Sequence, residues 1–228
     1  RPRATRGRFR WVVYDQDYGF NLWPASVYVP AMARDYADYD NMFRFYTAGT
    51  GTSTAWPNAG GRTLLLRSLL NNAQFKERFI RRCADLLNSL FREEKVEQTI
   101  QEMASVIRPE IADHLQRWSW SELTRRGFGV PHKAEYQPFT QATWETNLTV
   151  LSAFGRSRPA KLRQDCLQYF QLTGGLGILQ AQVQPEGSGR VQVNTLTLDQ
   201  LPWQGVYFAD LTNTVRPIPN PGYRFVEW

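Results

Sequence analysis

The sequence predicts an α+β fold: a mainly helical segment over residues 1–172 and a small β-rich module over 173–228. Three observations predict it. Apolar residues recur at three-and-four spacing from Leu64 to Phe170, the texture turns to glycine-rich bends and short alternating runs after Thr173, and a lone apolar strand stands near the start. At 228 residues, with 42% apolar and 14% aromatic content, the chain can bury a core, and its composition argues against disorder.

The first element is a strand at 9–15. In WVVYDQDYGF, residues 11–20, four apolar residues are followed by Asp15 and Asp17 ahead of Gly19. Side chains two apart share one face of an extended backbone, so the two carboxylates repel unless a cation or a basic group stands between them. From Asn21 to Gly61 the chain reads as a long loop rich in Tyr, Pro, Gly, Asp and Thr. Loops of that length in a compact domain are functional or disordered, and the aromatic content favours the first.

Helices follow. Leu64, Leu65, Leu66, Leu69 and Leu70 form one, Asn71-Asn72 breaks it, and Phe75, Phe79, Ile80, Cys83, Leu86, Leu87 and Leu90 form the next. A third carries Val96, Ile100, Met103 and Ile107, and Pro109 opens a fourth through Ile111, Leu115 and Trp118. After a polar Gly- and Pro-containing tract, Thr140 and Thr143 start a helix through Phe154, and Pro159 starts a last one through Cys166 and Phe170. Beyond Gly174-Gly175, which read as a flexible join, a hairpin is expected between 178–184 and 190–198, with further strands at 205–209, 213–218 and 223–228.

The net charge of +6 comes mostly from arginine, and five of the first ten residues are Arg. That run lacks interleaved aromatics until Phe9 and Trp11, which disfavours a nucleic-acid arm and favours a solvated flank or an acidic partner. No apolar run is long enough to span a bilayer. Cys83 and Cys166 sit within helical apolar patterns and read as buried thiols. His114 and His132 have no Cys or His at ligand spacing, so zinc is disfavoured. Asp35, Asp38 and Asp40 do not match the twelve-residue calcium loop and read as a solvated loop.

Several segments together resemble the C-terminal part of the CotH family of kinase-like proteins, known from spore coats and secreted proteins. They are WVVYDQDYGF, Trp56-Pro57-Asn58, TLLLRSLLNNAQFKERFIRRCADLLNSLF ending at Phe91, MASVIRPEIADHLQRW ending at Trp118, FGRSRPAKLRQDCLQYFQL and the closing PWQGVYFADLTNTVRPIPNPGYRFVEW. The resemblance implies the helical C-lobe of a divergent protein-kinase-like fold with a small C-terminal β module, and an activity that uses ATP and Mg²⁺ or Mn²⁺ to phosphorylate proteins on serine. Asp15 matches the aspartate that holds the metal against the nucleotide phosphates, and Asp17 stands where a second ligand or orienting group would be. Hard oxygen ligands suit Mg²⁺, and phosphoryl transfer is mostly positioning and charge neutralisation.

A kinase also needs a phosphate-gripping lysine, its glutamate partner and a catalytic loop, normally ahead of the metal aspartate. Only fourteen residues precede Asp15 here. The expectation is therefore either a segment completed by an N-terminal kinase half, inactive by itself, or a binding or structural module that keeps a vestigial metal site. Its partner is a protein in both cases.

Overall fold

A computed structural model describes residues 42–47, 60–127 and 140–228. The strand at 9–15 with Asp15 and Asp17, the Asp35–Asp38–Asp40 group and His132 lie outside the described residues. In chain order the elements are α1 (Met42–Thr47), α2 (Gly60–Leu70), α3 (Ala73–Leu87), α4 (Glu93–Ile107), a 3-10 turn (Arg108–Glu110), α5 (Ile111–Arg117), α6 (Trp120–Arg125) and α7 (Gln141–Phe170). Strands β1 (Leu176–Ala181), β2 (Gly189–Val193), β3 (Leu196–Leu198), β4 (Trp203–Phe208) and β5 (Val215–Pro219) follow. The architecture is thus mixed helix and sheet.

The break at the asparagines is a cap. Asn72 is extended, at φ −81° and ψ 118°, and its Oδ1 accepts from the Phe75 amide at 2.9 Å, which satisfies one of the free N–H groups that start α3. Thr140 and Thr143 cap each other at the start of α7: each backbone amide donates to the other hydroxyl, at 2.7 and 3.1 Å.

Six expectations are corrected. Met42–Thr47 is helical within the tract read as loop. Pro109 sits in the 3-10 turn, so the fourth helix begins only at Ile111, and Trp118 is its C-cap. Pro159 does not open a helix; it lies inside one continuous α7 of 30 residues. A proline there removes an N–H and crowds the preceding turn, at roughly 3 kcal/mol. The flanks hold the helix regardless. Gly155 is buried where a Cβ would collide with Val96, and Asp165 accepts from Arg158 ahead of the proline and from Lys161 after it.

The expected hairpin does not form either. β1 pairs antiparallel with β4, Leu176 opposite Phe208 and Ala181 opposite Trp203, while β2 pairs with β3 and β5. The short turn that decides the pairing is Asn194-Thr195, within the run read as one strand at 190–198. Asn194 takes the left-handed φ of 49° that a two-residue loop requires. The fifth correction concerns 223–228, which forms no strand. Pro219, Pro221 and Gly222 (φ 87°) turn the chain away, and β5 tolerates Pro217 and Pro219 because it is an edge of the order β3-β2-β5. The Gly174-Gly175 join is also firmly held: the Thr173 and Gly174 amides both donate to the Asp210 carboxylate.

The chain divides into two compact units. Among the described residues one comprises 104–127 and 140–154, and the other 42–47, 60–103 and 155–228. In the larger set, Ile80 and Ala84 of α3, Cys166 of α7, and Val191, Val193, Leu198, Tyr207 and Phe208 of the strands form one core. Phe43, Phe79, Tyr169 and Phe170 pack beside it with ring centroids 4.8–6.1 Å apart. In the smaller set, Ala104 and Ile111 are buried, and Arg108 both lies 5.4 Å over the Trp144 ring and pairs with Glu145.

Candidate functional site

Asp15 and Asp17 are not among the described residues, so the structure neither joins nor separates them. His114 is exposed and lies 6.4 Å, ring to ring, from Trp118. No group of three His, Cys, Asp or Glu side chains that could hold a metal occurs among the described residues.

The structure does gather polar groups that the sequence reading did not single out. Asp85, on α3, is fully buried. Its carboxylate accepts from the Thr195 amide at 3.1 Å and the Thr195 hydroxyl, from Asn194 Nδ2 at 3.2 Å, and from the Tyr207 hydroxyl at 3.1 Å. Those donors come from the β2–β3 turn and from β4, so one carboxylate ties the helix to both sheets. Burial, then the charge of Asp85, raises the Tyr207 phenol above its usual range.

One turn later, Asn88 does the same for the edge of β4. Its Nδ2 donates to the Val206 carbonyl at 2.7 Å and its Oδ1 accepts from the Val206 amide at 2.9 Å, replacing a neighbouring strand at that residue. Arg163 of α7 closes the seam by donating Nη2 to the Leu87 carbonyl and to Asn88 Oδ1, each at 3.2 Å. Asp165, also fully buried, accepts from Lys161 at 2.6 Å and Arg158 at 3.3 Å.

Cys83 and Cys166 are free thiols on α3 and α7 and hydrogen-bond to each other. Accepting that bond lowers the Cys83 thiol, while donating it, together with burial, pushes Cys166 well above the usual thiol range.

These arrangements bind elements together. Asp85 takes four donors, which fills its acceptor sites, and each oxygen of Asp165 accepts from a cationic side chain; both arrangements suit anchoring. The spacing held a faint signal: Asp85 and Asn88 are three apart in ADLLN, beside the Ile80, Ala84 and Leu87 stripe, and Arg158, Lys161 and Asp165 follow one helical face. No helix of the described residues is long and apolar enough to cross a membrane.

Comparison with known proteins adds one positive finding. The family described as CotH kinase protein matches residues 2–162, which include Asp15, Asp17, α3 and most of α7. Neither the curated proteins nor the solved structures gave a match. The matched span covers well over half of the 228 residues, and the chain belongs to the CotH kinase protein family.

Proposed function

We propose that this chain carries the metal-binding strand end and the helical C-lobe of a CotH-type, ATP-dependent protein serine kinase. The observation that carries the reading is the family match over 2–162, which takes in the strand-end motif with Asp15 and Asp17. Asp15 would hold Mg²⁺ or Mn²⁺, and Asp17 would ligate or orient beside it; the metal, when bound, neutralises the charge of the nucleotide phosphates. The described residues serve as the frame, with Asp85, Asn88 and Asp165 fixing the helices that follow the motif. The partner is a protein substrate together with the elements that supply the phosphate-gripping lysine and the catalytic base. The 228-residue polypeptide alone is expected not to transfer phosphate, because metal ligands without those groups cannot align donor and acceptor.

Labelled ATP, Mg²⁺ and a general acceptor protein test this. The reading expects no transfer by the polypeptide alone, and transfer when an N-terminal kinase half is supplied, abolished by Asp15→Ala. Transfer by the polypeptide alone, abolished by Asp15→Ala, would overturn the assignment of its inactivity.

A second reading, a coat- or surface-associated binding module with a vestigial metal site, is favoured by one observation. Residues 163–228 lie beyond the family match, and there Ile178, Tyr223, Phe225, Val226 and Trp228 are large apolar side chains left exposed. In that case Asp15→Ala leaves the supplemented assay unchanged.

A further inference from the structure

Arg163 does more than close the α3–β4 seam. Its Nη2 is the only one of its nitrogens with a hydrogen-bond partner among the described residues; Nε is buried without one. No carboxylate lies within ion-pair distance of it among the described residues. A half-buried guanidinium without a counterion is costly, and so is a buried donor left without a partner. Burial pushes the Arg163 guanidinium below its usual range, with Cys166 acting against that shift and the neighbouring Arg92 adding to it.

The same guanidinium lines a cavity of about 310 Å³ between the α3–α4 corner, α7 and the β1–β4 sheet, at the small end of ligand-sized clefts. Arg92 and Arg156 line it as well, and so do Glu93 and Glu94. The acidic residues do not consume the arginines. Arg92 stands 3.6 Å from Glu94 and Arg156 stands 3.8 Å from Glu97, ion pairs longer than hydrogen bonds, with Glu94 77% exposed. Pairs of that kind contribute little and yield readily to a better acceptor. Three guanidinium groups thus converge on one cavity while their N–H donors remain largely unspent, and a tetrahedral dianion is the acceptor that planar arginine forks fit best.

We propose that the cavity lined by Arg92, Arg156 and Arg163 is a binding site for a phosphate monoester group, either inorganic phosphate or the side chain of a phosphoserine. The site lies among the helices and the β module, built from described residues, and it does not depend on the kinase reading. Of its three arginines, Arg163 forms the floor and Arg92 and Arg156 the partly exposed rim.

Calorimetric titration of the full chain with inorganic phosphate, and separately with N-acetylphosphoserine amide, against sodium chloride of equal ionic strength tests it. The rim variants Arg92→Gln and Arg156→Gln are the informative ones, because their partly exposed positions leave the fold intact, whereas a change at Arg163 also removes its bonds to Leu87 and Asn88. Saturable binding is expected, weakened about tenfold by each rim substitution, the effect of one charge-assisted hydrogen bond. Tighter binding of the phosphoserine amide identifies a phosphorylated side chain as the ligand; equal or tighter binding of inorganic phosphate identifies the free ion. No heat beyond the chloride control, or binding unchanged in the Arg92→Gln/Arg156→Gln double variant, would overturn the proposal.

Discussion

The two compact units are held in different ways. In the set 42–47, 60–103 and 155–228, the polar contacts that matter are dry and distant in sequence: Asp85 reaches donors 109 to 122 residues away, and Asn88 reaches Val206 across 118. In the set 104–127 and 140–154, they are wet and mostly local. Glu122 pairs with Arg125 and Arg126 three and four residues on, and the Arg108–Glu145 pair spans 37 residues with both side chains about two-fifths exposed. The difference teaches where stability resides. A buried carboxylate with four donors cannot lose any of them cheaply, while exposed pairs exchange with water at little cost.

The largest effect is expected at Asp85. Asp85→Ala leaves the Tyr207 hydroxyl and the Thr195 amide and hydroxyl without the acceptor they use inside the protein, while Asn194 keeps Asn213, at a combined cost of roughly 4 kcal/mol from penalties of about 1–3 each. Denaturant unfolding measures it, and a loss under about half a kcal/mol, the size of a surface change, would dissolve the contrast between the units. Leu87→Ala comes next. Leu87 is 3% exposed, so its truncation should cost on the order of 2–5 kcal/mol by the same measurement.

Tyr207→Phe sharpens the comparison through pH. The folded phenol is raised above its ordinary value of 10.0 by burial and by Asp85, so the stability it contributes is complete below pH 10 and falls as pH rises toward the folded value. The variant should flatten the alkaline arm of the melting profile, and an unchanged arm would remove Tyr207 from the network. The smallest effect is at Glu122, whose carboxyl is lowered from 4.5 to about 2, first by its bond to Arg125 and then by Arg126. Its contribution is present above pH 4.5 and is lost as pH falls through about 2. Glu122→Gln should therefore lower the neutral melting point slightly, with the difference from the parent shrinking between pH 4.5 and about 2.

Much of this frame was legible in the sequence. The Asn71-Asn72 break, the inward Leu87, the Thr140 start and strands near 178, 190, 205 and 215 all follow from local chemistry, caps and periodicity. What was not legible depends on distant partners. Pro159 reads as a helix start because a proline disfavours a helix interior, and only the packing of Gly155 on Val96 and the Asp165 ion cluster reverse that. Strand pairing went the same way: β1 has no local reason to skip to β4, and the turn at Asn194 outweighed the longer glycine-rich connection. Asp85 looks like an ordinary polar position of an amphipathic helix until the β2–β3 turn is placed against it. The family resemblance was legible because it rests on the order of several segments and not on the Asp-x-Asp pair, and the match over 2–162 agrees with it.

The proposed function separates chemistry from frame, with Asp15 proposed to bind metal and Asp85 holding the fold. Parallel melting and calorimetric titrations with millimolar Mn²⁺ on the parent chain, Asp15→Asn and Asp85→Asn test it most directly. The parent should bind weakly and melt modestly higher with Mn²⁺, by mass action on the folded state. Asp15→Asn should keep the parent's stability without metal and lose both the heat and the shift, whereas Asp85→Asn should melt lower without metal and keep the shift. Metal heat that survives Asp15→Asn, or disappears in a folded Asp85→Asn, would contradict the account.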